Sequence, residues 1–260
     1  MRLIIILLIL AFQSAQAQQY TIIHVIGKIY DNQTQTYLKS GTKLTDDSKL
    51  KFETPHARAA ALSNTRGRYV IQHQTTQAER SDLAYTLSTV LAPARGKMST
   101  RSGSINNQMD FVKKFGEGPL AIVGGRLATA ISPTAYPTDD THFFYASFLF
   151  NNEAINKKLD VIDNQLVFDI KSFYTIDGIT IDPKQTSETT LYYYDSNKEE
   201  SIAITSLDFE VVSDDELSHI AKAMGELNNT EQVNAIREIV TALYGACQAD
   251  QIKAAIQNLN

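Results

Sequence analysis

Apolar and polar side chains alternate in short segments through most of this chain, and no other feature of the sequence constrains the fold as strongly. Successive side chains of a strand point to opposite faces of a sheet, so alternation with a period of two predicts strands that bury one face. Segment 20–30 (YTIIHVIGKIY) leads into turn-forming residues at Asp31 and Asn32, and residues 49–52 alternate lysine with leucine and phenylalanine. The N-terminal part is therefore predicted to be a small antiparallel β-domain.

A hairpin is predicted around residues 64–67 (NTRG), because asparagine and glycine readily adopt positive φ and segments 57–62 and 68–72 can form the two strands. Leucine and valine recur at helical spacing between Leu83 and Leu91, which predicts a helix that ends before Pro93. The residues that follow mix proline, glycine, serine and asparagine without a period, which is typical of a loop or linker.

An antiparallel sandwich or meander is predicted for the middle of the chain. A short helix is expected first, at 107–115, and a tight turn is expected at Gly124 and Gly125. Strand-like segments then follow each other at close spacing, which favours antiparallel pairing over a parallel sheet with crossover helices. These segments are 120–123, 127–131, 141–150, 156–163, 165–174, 189–195, 200–207 and 208–212.

The C-terminal residues are predicted to be helical. Ser213 and Glu216 have the spacing of a capping box, in which the serine oxygen accepts from a backbone N–H and the glutamate reaches back to the N-cap. Further helices are expected from Asn229, with an apolar stripe that extends to Cys247, and from Asp250. These helices either cover the β-structure or form a partner-binding pair.

The predicted fold class is α+β, mainly antiparallel β, with two β-rich regions and C-terminal helices. The predicted parts are a signal peptide at 1–17, a small β-domain with a terminal helix at 18–92, a loop or linker at 93–107, a β-sandwich or meander at 108–212, and helices at 213–260.

The N-terminus has the pattern of a secretory signal peptide. Arg2 precedes an apolar run at 3–12, and Ala15 and Ala17 supply the small residues of a cleavage site. An apolar run of about ten residues is shorter than the roughly 20 that a membrane-spanning helix needs. We expect cleavage after Ala17, a mature chain that does not span a membrane, and a periplasmic or secreted location; an uncleaved anchor is the alternative.

Charge is distributed unevenly along the chain. Residues 18–137 contain 15 lysines and arginines against 8 acidic residues, a net charge of +7, whereas residues 138–260 contain 8 against 21, a net charge of −13. Such asymmetry favours two regions that attract each other or a basic half that meets an acidic partner. Nucleic-acid binding is not expected of an exported chain whose overall net charge is −5.

The sequence contains no motif for nucleophilic catalysis or nucleotide binding, and Cys247 is its only cysteine, so an internal disulfide is excluded. The candidates for a metal site are Asp140 and His142, which a strand would direct to one face, with Asp139 adjacent. A solvated turn at the start of a strand explains these residues equally well. We therefore predict no catalytic residue, no cofactor and no metal site, with Asp140 and His142 kept as metal candidates.

Basic residues on both sides of the predicted helix are the candidates for binding an anion or a partner. They are Arg58, Arg66, Arg68, Arg95, Lys97 and Arg101. Arginine can donate two parallel hydrogen bonds to a carboxylate or phosphate. If the hairpin and the linker converge, these side chains form a patch for an acidic protein, an anionic glycan or a lipid; if they diverge, they protect the edge of a sheet.

Three motifs follow one another between Val25 and Ile71: the strand VIGKI, the segment LKSGTKL, and an alanine-rich strand that a glycine turn connects to the next strand. This succession resembles the FecR-type periplasmic β-domain, whose members act through protein contacts rather than catalysis. The whole chain, including LYYYD at 191–195 and DDELSHIAKAM at 214–224, resembles exported proteins of Bacteroidetes-type bacteria. These resemblances imply an interaction role and transfer no site residue.

The leading hypothesis is a non-catalytic exported protein of the bacterial cell envelope that acts through contacts with an envelope protein. One alternative is an envelope hydrolase on glycan or peptide, which requires a concave site around Asp139, Asp140 and His142. The other is a module that binds an anionic glycan or lipid through the arginines.

Overall fold

The computed structural model describes residues 18–64, 67–73, 84–94, 103–116, 118–225 and 229–259. The signal peptide and four of the basic candidates, Arg66, Arg95, Lys97 and Arg101, lie outside these residues. The chain divides between Ala94 and Arg95 into two compact units. Within the described ranges, no helix combines the length and the apolar character needed to cross a membrane.

The described residues of the N-terminal unit form two antiparallel sheets and one short helix. Its elements are β1 (Gln19–Ile26), β2 (Ile29–Asp31), β3 (Thr36–Tyr37), β4 (Lys43–Thr45), β5 (Lys49–Phe52), β6 (Arg58–Ser63), β7 (Gly67–Gln72), β8 (Ala84–Thr86), α1 (Leu87–Val90) and β9 (Leu91–Pro93). The strand orders are β4-β1-β6-β7-β9 and β3-β2-β5-β8. Buried side chains from both sheets, including Ile22, Leu50 and Ile71, form one core.

Two predictions for this unit have opposite outcomes. The hairpin is confirmed, because β6 and β7 pair antiparallel with Ser63 opposite Gly67. The single strand predicted at 20–30 is wrong: Gly27 has φ +73°, and a Cβ there would lie 3.0 Å from the Ala57 Cβ. The chain turns at this glycine, so β1 and β2 belong to different sheets.

The helix predicted between Leu83 and Leu91 is also wrong, apart from one turn. Of the described residues 84–91, only Leu87–Val90 are helical, and β8 and β9 flank this turn by pairing with β5 and β7. The helical spacing of Leu87 and Val90 is satisfied within that turn, where both side chains are fully buried. Strand pairing on either side therefore overrides a local helical preference.

The C-terminal unit contains the remaining strands and most of the helices. Its elements are α2 (Gln108–Phe115), β10 (Leu120–Val123), β11 (Arg126–Ala130), β12 (His142–Phe150), β13 (Glu153–Lys158), β14 (Asp160–Ile162), β15 (Gln165–Asp169), α3 (Ile170–Phe173), β16 (Thr175–Ile176), β17 (Ile179–Thr180), a 3₁₀ turn (Pro183–Gln185), β18 (Thr189–Asp195), β19 (Glu200–Leu207), β20 (Phe209–Val212), α4 (Asp214–Ala223), α5 (Asn229–Tyr244) and α6 (Ala249–Leu259).

Two antiparallel sheets of this unit share an aromatic core. Their strand orders are β13-β12-β18-β19 and β11-β15-β14. Phe144 from the first sheet, Phe168 from the second and Phe111 from α2 are fully buried in the same cluster. Ring centroids 5.5 Å apart join Phe111 to Phe144, a separation at which aromatic pairs attract beyond their buried area.

Among the strands of the described residues, one pair is parallel. β10 pairs with β20, with Leu120 opposite Phe209, and all four residues of β10 are buried. Leu120 and Ile122 face the aromatic core, and α5 and α6 pack against the same strand. Strands covered on both faces are the usual setting for parallel pairing. The helices thus cover β-structure, and the predicted class is confirmed: α+β, mainly antiparallel β, with C-terminal helices.

Local capping explains where several elements begin and end. The capping box is confirmed, since Ser213 Oγ accepts from the Glu216 N–H at 3.3 Å and Glu216 Oε2 accepts from the Ser213 N–H at 2.9 Å. The strand predicted at 165–174 is too long. It ends at Asp169, whose carboxylate accepts from the Ser172 N–H and starts α3.

Cys247 was predicted on a helical stripe, and this placement is wrong. α5 ends at Tyr244, and Gly245 follows in the left-handed region at φ +98°. The next residue, Ala246, donates to the Pro119 carbonyl at 2.9 Å. Cys247 therefore lies in the connection to α6.

Candidate functional site

The basic candidates are represented in the described residues by Arg58 and Arg68 alone. Both lie on the β6–β7 hairpin, where Arg58 faces Gln72 and Arg68 faces Leu62. Arg58 and Leu62 are four residues apart on β6, so the two arginines occupy one face about 13 Å apart along the strand. The Arg58 guanidinium donates to the His56 carbonyl at 3.4 Å. Convergence with the other four cations stays a prediction.

His142, one of the two metal candidates, lies between two carboxylates. It begins β12 directly opposite Asp195, the last residue of β18. Its Nδ1 is 3.1 Å from Asp139 Oδ1, and its Nε2 is 3.4 Å from Asp195 Oδ1. Lys198 Nζ completes the row at 3.0 Å from Asp195 Oδ2. We call Asp139, His142, Asp195 and Lys198 the histidine cluster.

Hydrogen bonding stabilises the ionised form of both carboxylates of this cluster. The pKa of Asp139 is held far below its usual range, mainly because the Thr141 hydroxyl donates to Asp139 Oδ1 at 2.7 Å. The N–H groups of Thr141 and His142 donate to the same oxygen and lower this pKa further. The Lys198 ammonium likewise lowers the pKa of Asp195, and that carboxylate raises the pKa of Lys198. Both carboxylates are therefore ionised at neutral pH.

The histidine cluster links the start of β12 to the end of β18. Each ring nitrogen of His142 already has a carboxylate neighbour, so neither is directed at an open site where it could act as a general base. Asp140 is exposed and belongs to none of the bonds of this cluster among the described residues. No group of three or more acidic, histidine or cysteine side chains in the described ranges is arranged to hold a metal ion.

A different surface concentrates aromatic side chains. The four-stranded sheet buries one face in the aromatic core, and its opposite face, here called the outer face, carries the intervening residues of each strand. These residues are Phe143, Tyr145, Ser147 and Leu149 on β12, Thr190, Tyr192 and Tyr194 on β18, Ala154, Asn156 and Lys158 on β13, and Ser201, Ala203 and Ser206 on β19.

The rings of the outer face form two cross-strand pairs. Tyr145 and Tyr192 are directly opposite, with centroids 5.0 Å apart and planes only 9° from parallel, so one ring overlaps the face of the other. Phe143 and Tyr194 form the neighbouring pair at 5.1 Å. The Tyr145 hydroxyl donates to Ser201 Oγ at 3.1 Å across the intervening strand. This bond and the stacking hold the rings in place while all four stay half-buried.

A row of uncharged polar side chains lies beside the stacked tyrosines. Asn156, Ser147, Thr190 and Ser206 are directly opposite one another across the four strands. None of these four side chains makes a hydrogen bond to another described residue. The outer face therefore offers ring surface and free hydrogen-bonding groups side by side, and this combination makes it the candidate binding site.

Sequence reasoning missed the outer face. The segments THFFYASFLF and TTLYYYD showed strands in which both alternating sets are aromatic, so one set had to face away from the core. That signal was available, but the pairing of Tyr145 with Tyr192 depends on register between segments more than 40 residues apart.

No protein-family model matches this chain, and neither a curated protein nor a solved structure matches it.

Proposed function

We propose that this protein is a non-catalytic exported protein of the bacterial cell envelope that acts through protein–protein contacts made on the outer face. One observation carries the proposal: four aromatic rings form two cross-strand pairs on a sheet face, beside a row of polar side chains that make no hydrogen bond to another described residue. Tyrosine and phenylalanine are enriched at protein interfaces because they supply large contact area for few rotatable bonds. Export is inferred from the N-terminal pattern of residues 1–17.

The histidine cluster gives no support to the hydrolase alternative, since its histidine and carboxylates are engaged with one another. The anion-binding alternative depends on whether Arg66, Arg95, Lys97 and Arg101 approach Arg58 and Arg68. It predicts that Arg66→Ala with Arg68→Ala weakens binding to vesicles of anionic lipid.

A cross-linking pull-down from envelope extract tests the proposal. Mature protein is compared with the double variant Tyr145→Ser, Tyr192→Ser. The control variant is Tyr37→Ser, which removes an exposed tyrosine of the N-terminal unit whose hydroxyl donates to Glu53. We expect a specific partner that the wild type and control retain and the double variant loses. A partner retained equally by all three proteins, or no partner at low salt, would contradict the proposal.

Cleavage of the signal is tested separately. Expression of the full chain in a bacterial host, followed by fractionation and N-terminal sequencing, should yield a mature chain that begins at Gln18. A full-length product confined to the cytoplasm would refute export.

A further inference from the structure

Building on the proposed function, we infer that the partner contributes an extended, uncharged, proline-rich segment of about six residues, which lies on the outer face in the polyproline II conformation. The inference combines four properties of this face: its area, its charge, its unpaired donors and the blocked β19 edge of its sheet.

The area of the outer face is too small for a folded partner. Six paired residues of β12 and β18 span about 20 Å, and four strands span about 19 Å, which gives roughly 400 Å². A standard interface between folded proteins buries about 800 Å² on each partner. A polyproline II segment advances about 3.1 Å per residue, so about six residues cross the face along the strands. An extended segment fits this area, whereas a folded partner would also have to bury surface beyond the outer face.

The charge of the outer face favours an uncharged ligand. Lys158 is the only ionisable lysine, arginine, aspartate or glutamate among its residues. Its ammonium lies 4.5 Å from the centroid of the Phe143 ring, so the cation already has an aromatic neighbour. A basic ligand would lack a counter-charge here, and an acidic ligand would meet only Lys158, which lies against Phe143. A neutral segment needs no counter-charge.

The unpaired groups match an extended backbone rich in proline. A polyproline II chain makes no internal hydrogen bonds, and its proline residues present carbonyl acceptors without N–H donors. The hydroxyls of Ser147 and Thr190 can donate to these carbonyls, while the rings of Tyr145 and Tyr192 provide flat surfaces for pyrrolidine rings. Aromatic grooves with hydroxyl donors are the general means by which proteins recognise such segments.

Strand addition at the β19 edge of the sheet is opposed. β19 is an outermost strand, and the Gln108 side-chain amide donates to its Ala203 and Ile204 carbonyls at 3.1 Å each. An added strand would have to displace this amide from the two carbonyls it caps. A partner segment therefore gains more by lying across the face than by pairing with this edge.

Fluorescence anisotropy with a labelled twelve-residue peptide of proline, alanine and glutamine tests the inference. The all-D enantiomer has the same composition and hydrophobicity but the opposite handedness, and a neutral xylan oligosaccharide serves as a non-peptide probe. We expect saturable binding of the L-peptide alone. Tyr192→Ala should weaken it at least tenfold, as loss of an aromatic anchor does, and Tyr37→Ala should change it less than twofold.

Two milder substitutions test the inference if Tyr192→Ala does not fold. Ser147→Ala and Thr190→Val remove the two donors, and valine keeps a β-branched side chain in the strand; together they should weaken peptide binding about fivefold at unchanged stability. Binding of both enantiomers, of the oligosaccharide alone, or of neither peptide overturns the inference. If an envelope partner is still lost on the Tyr145, Tyr192 double substitution, the proposed function stands and only the partner segment is wrong.

Discussion

Gly245 follows α5 where the chain bonds to the residues around the start of β10, and its replacement by alanine should destabilise the C-terminal unit strongly. The residue has φ +98°, and an alanine Cβ would lie 2.0 Å from the Pro119 carbonyl oxygen and 2.5 Å from its carbon. That oxygen accepts from the Ala246 N–H, and the Ala246 carbonyl accepts from the Ala121 N–H, both at 2.9 Å. Backbone on both sides must move to admit the methyl group.

The expected loss of unfolding free energy has two sources. A non-glycine residue in the left-handed region costs about 1–2 kcal/mol. Separation of Pro119 from residue 246 weakens two backbone hydrogen bonds, each with a net value of about 1 kcal/mol. We expect a total loss of about 3–4 kcal/mol for Gly245→Ala.

Gly225 provides the matched control. It also follows a helix and has φ +67°, but a Cβ there would have no atom of the described residues within 4 Å. Gly225→Ala should therefore lose only about 1–2 kcal/mol, the conformational part. Urea denaturation followed by circular dichroism at 222 nm measures both, because the longer helices belong to this unit. Equal losses for the two variants would refute the steric argument. Asparagine at both positions, which tolerates positive φ, repeats the comparison if Gly245→Ala does not fold.

Three further predictions concern single side chains. Burial raises the pKa of Cys247 to about 12, so iodoacetamide at pH 8 should label the native protein at least a hundredfold more slowly than the urea-unfolded chain; equal rates would contradict this. The pKa of Asp139 is lowered on folding from its ordinary 3.8, so its stabilising contribution is complete above about pH 5 and is lost as pH falls through the folded value. Asp139→Asn should flatten the urea midpoint against pH in this range, and an unchanged slope would exclude the mechanism. Ser213→Ala removes the N-cap of α4 and should cost about 1 kcal/mol, whereas Ser218→Ala, in the same helix, should cost little.

The sequence predicted correctly those elements that neighbouring residues determine. The Ser213 capping box and the β6–β7 hairpin each depend on residues within a few positions of one another. The helix expected from Leu83 failed for the opposite reason. Residues 84–86 pair with β5 and residues 91–93 pair with β7. The spacing of apolar residues does not show which distant strand a segment will pair with.

The histidine cluster shows the same limit at a site. Adjacent carboxylate and histidine residues pointed to Asp140 as the neighbour of His142 in a metal site. The structure pairs His142 with Asp139 through an Asx-type turn and with Asp195 through strand register. Asp195 is 53 positions from His142, so sequence spacing alone could not predict that the two residues are neighbours.

By itself, the sequence determined the kinds of element: alternating segments that form half-buried strands, and capped amphipathic segments that form the C-terminal helices. These are short-range consequences of side-chain period and backbone capping. Only the tertiary structure decided that β10 and β20 run parallel, that Gly27 separates two sheets, and that Tyr145 meets Tyr192 on the outer face. Strand register is a collective result of burying the aromatic core, and a distant pair acquires its geometry from that burial rather than from its own neighbours.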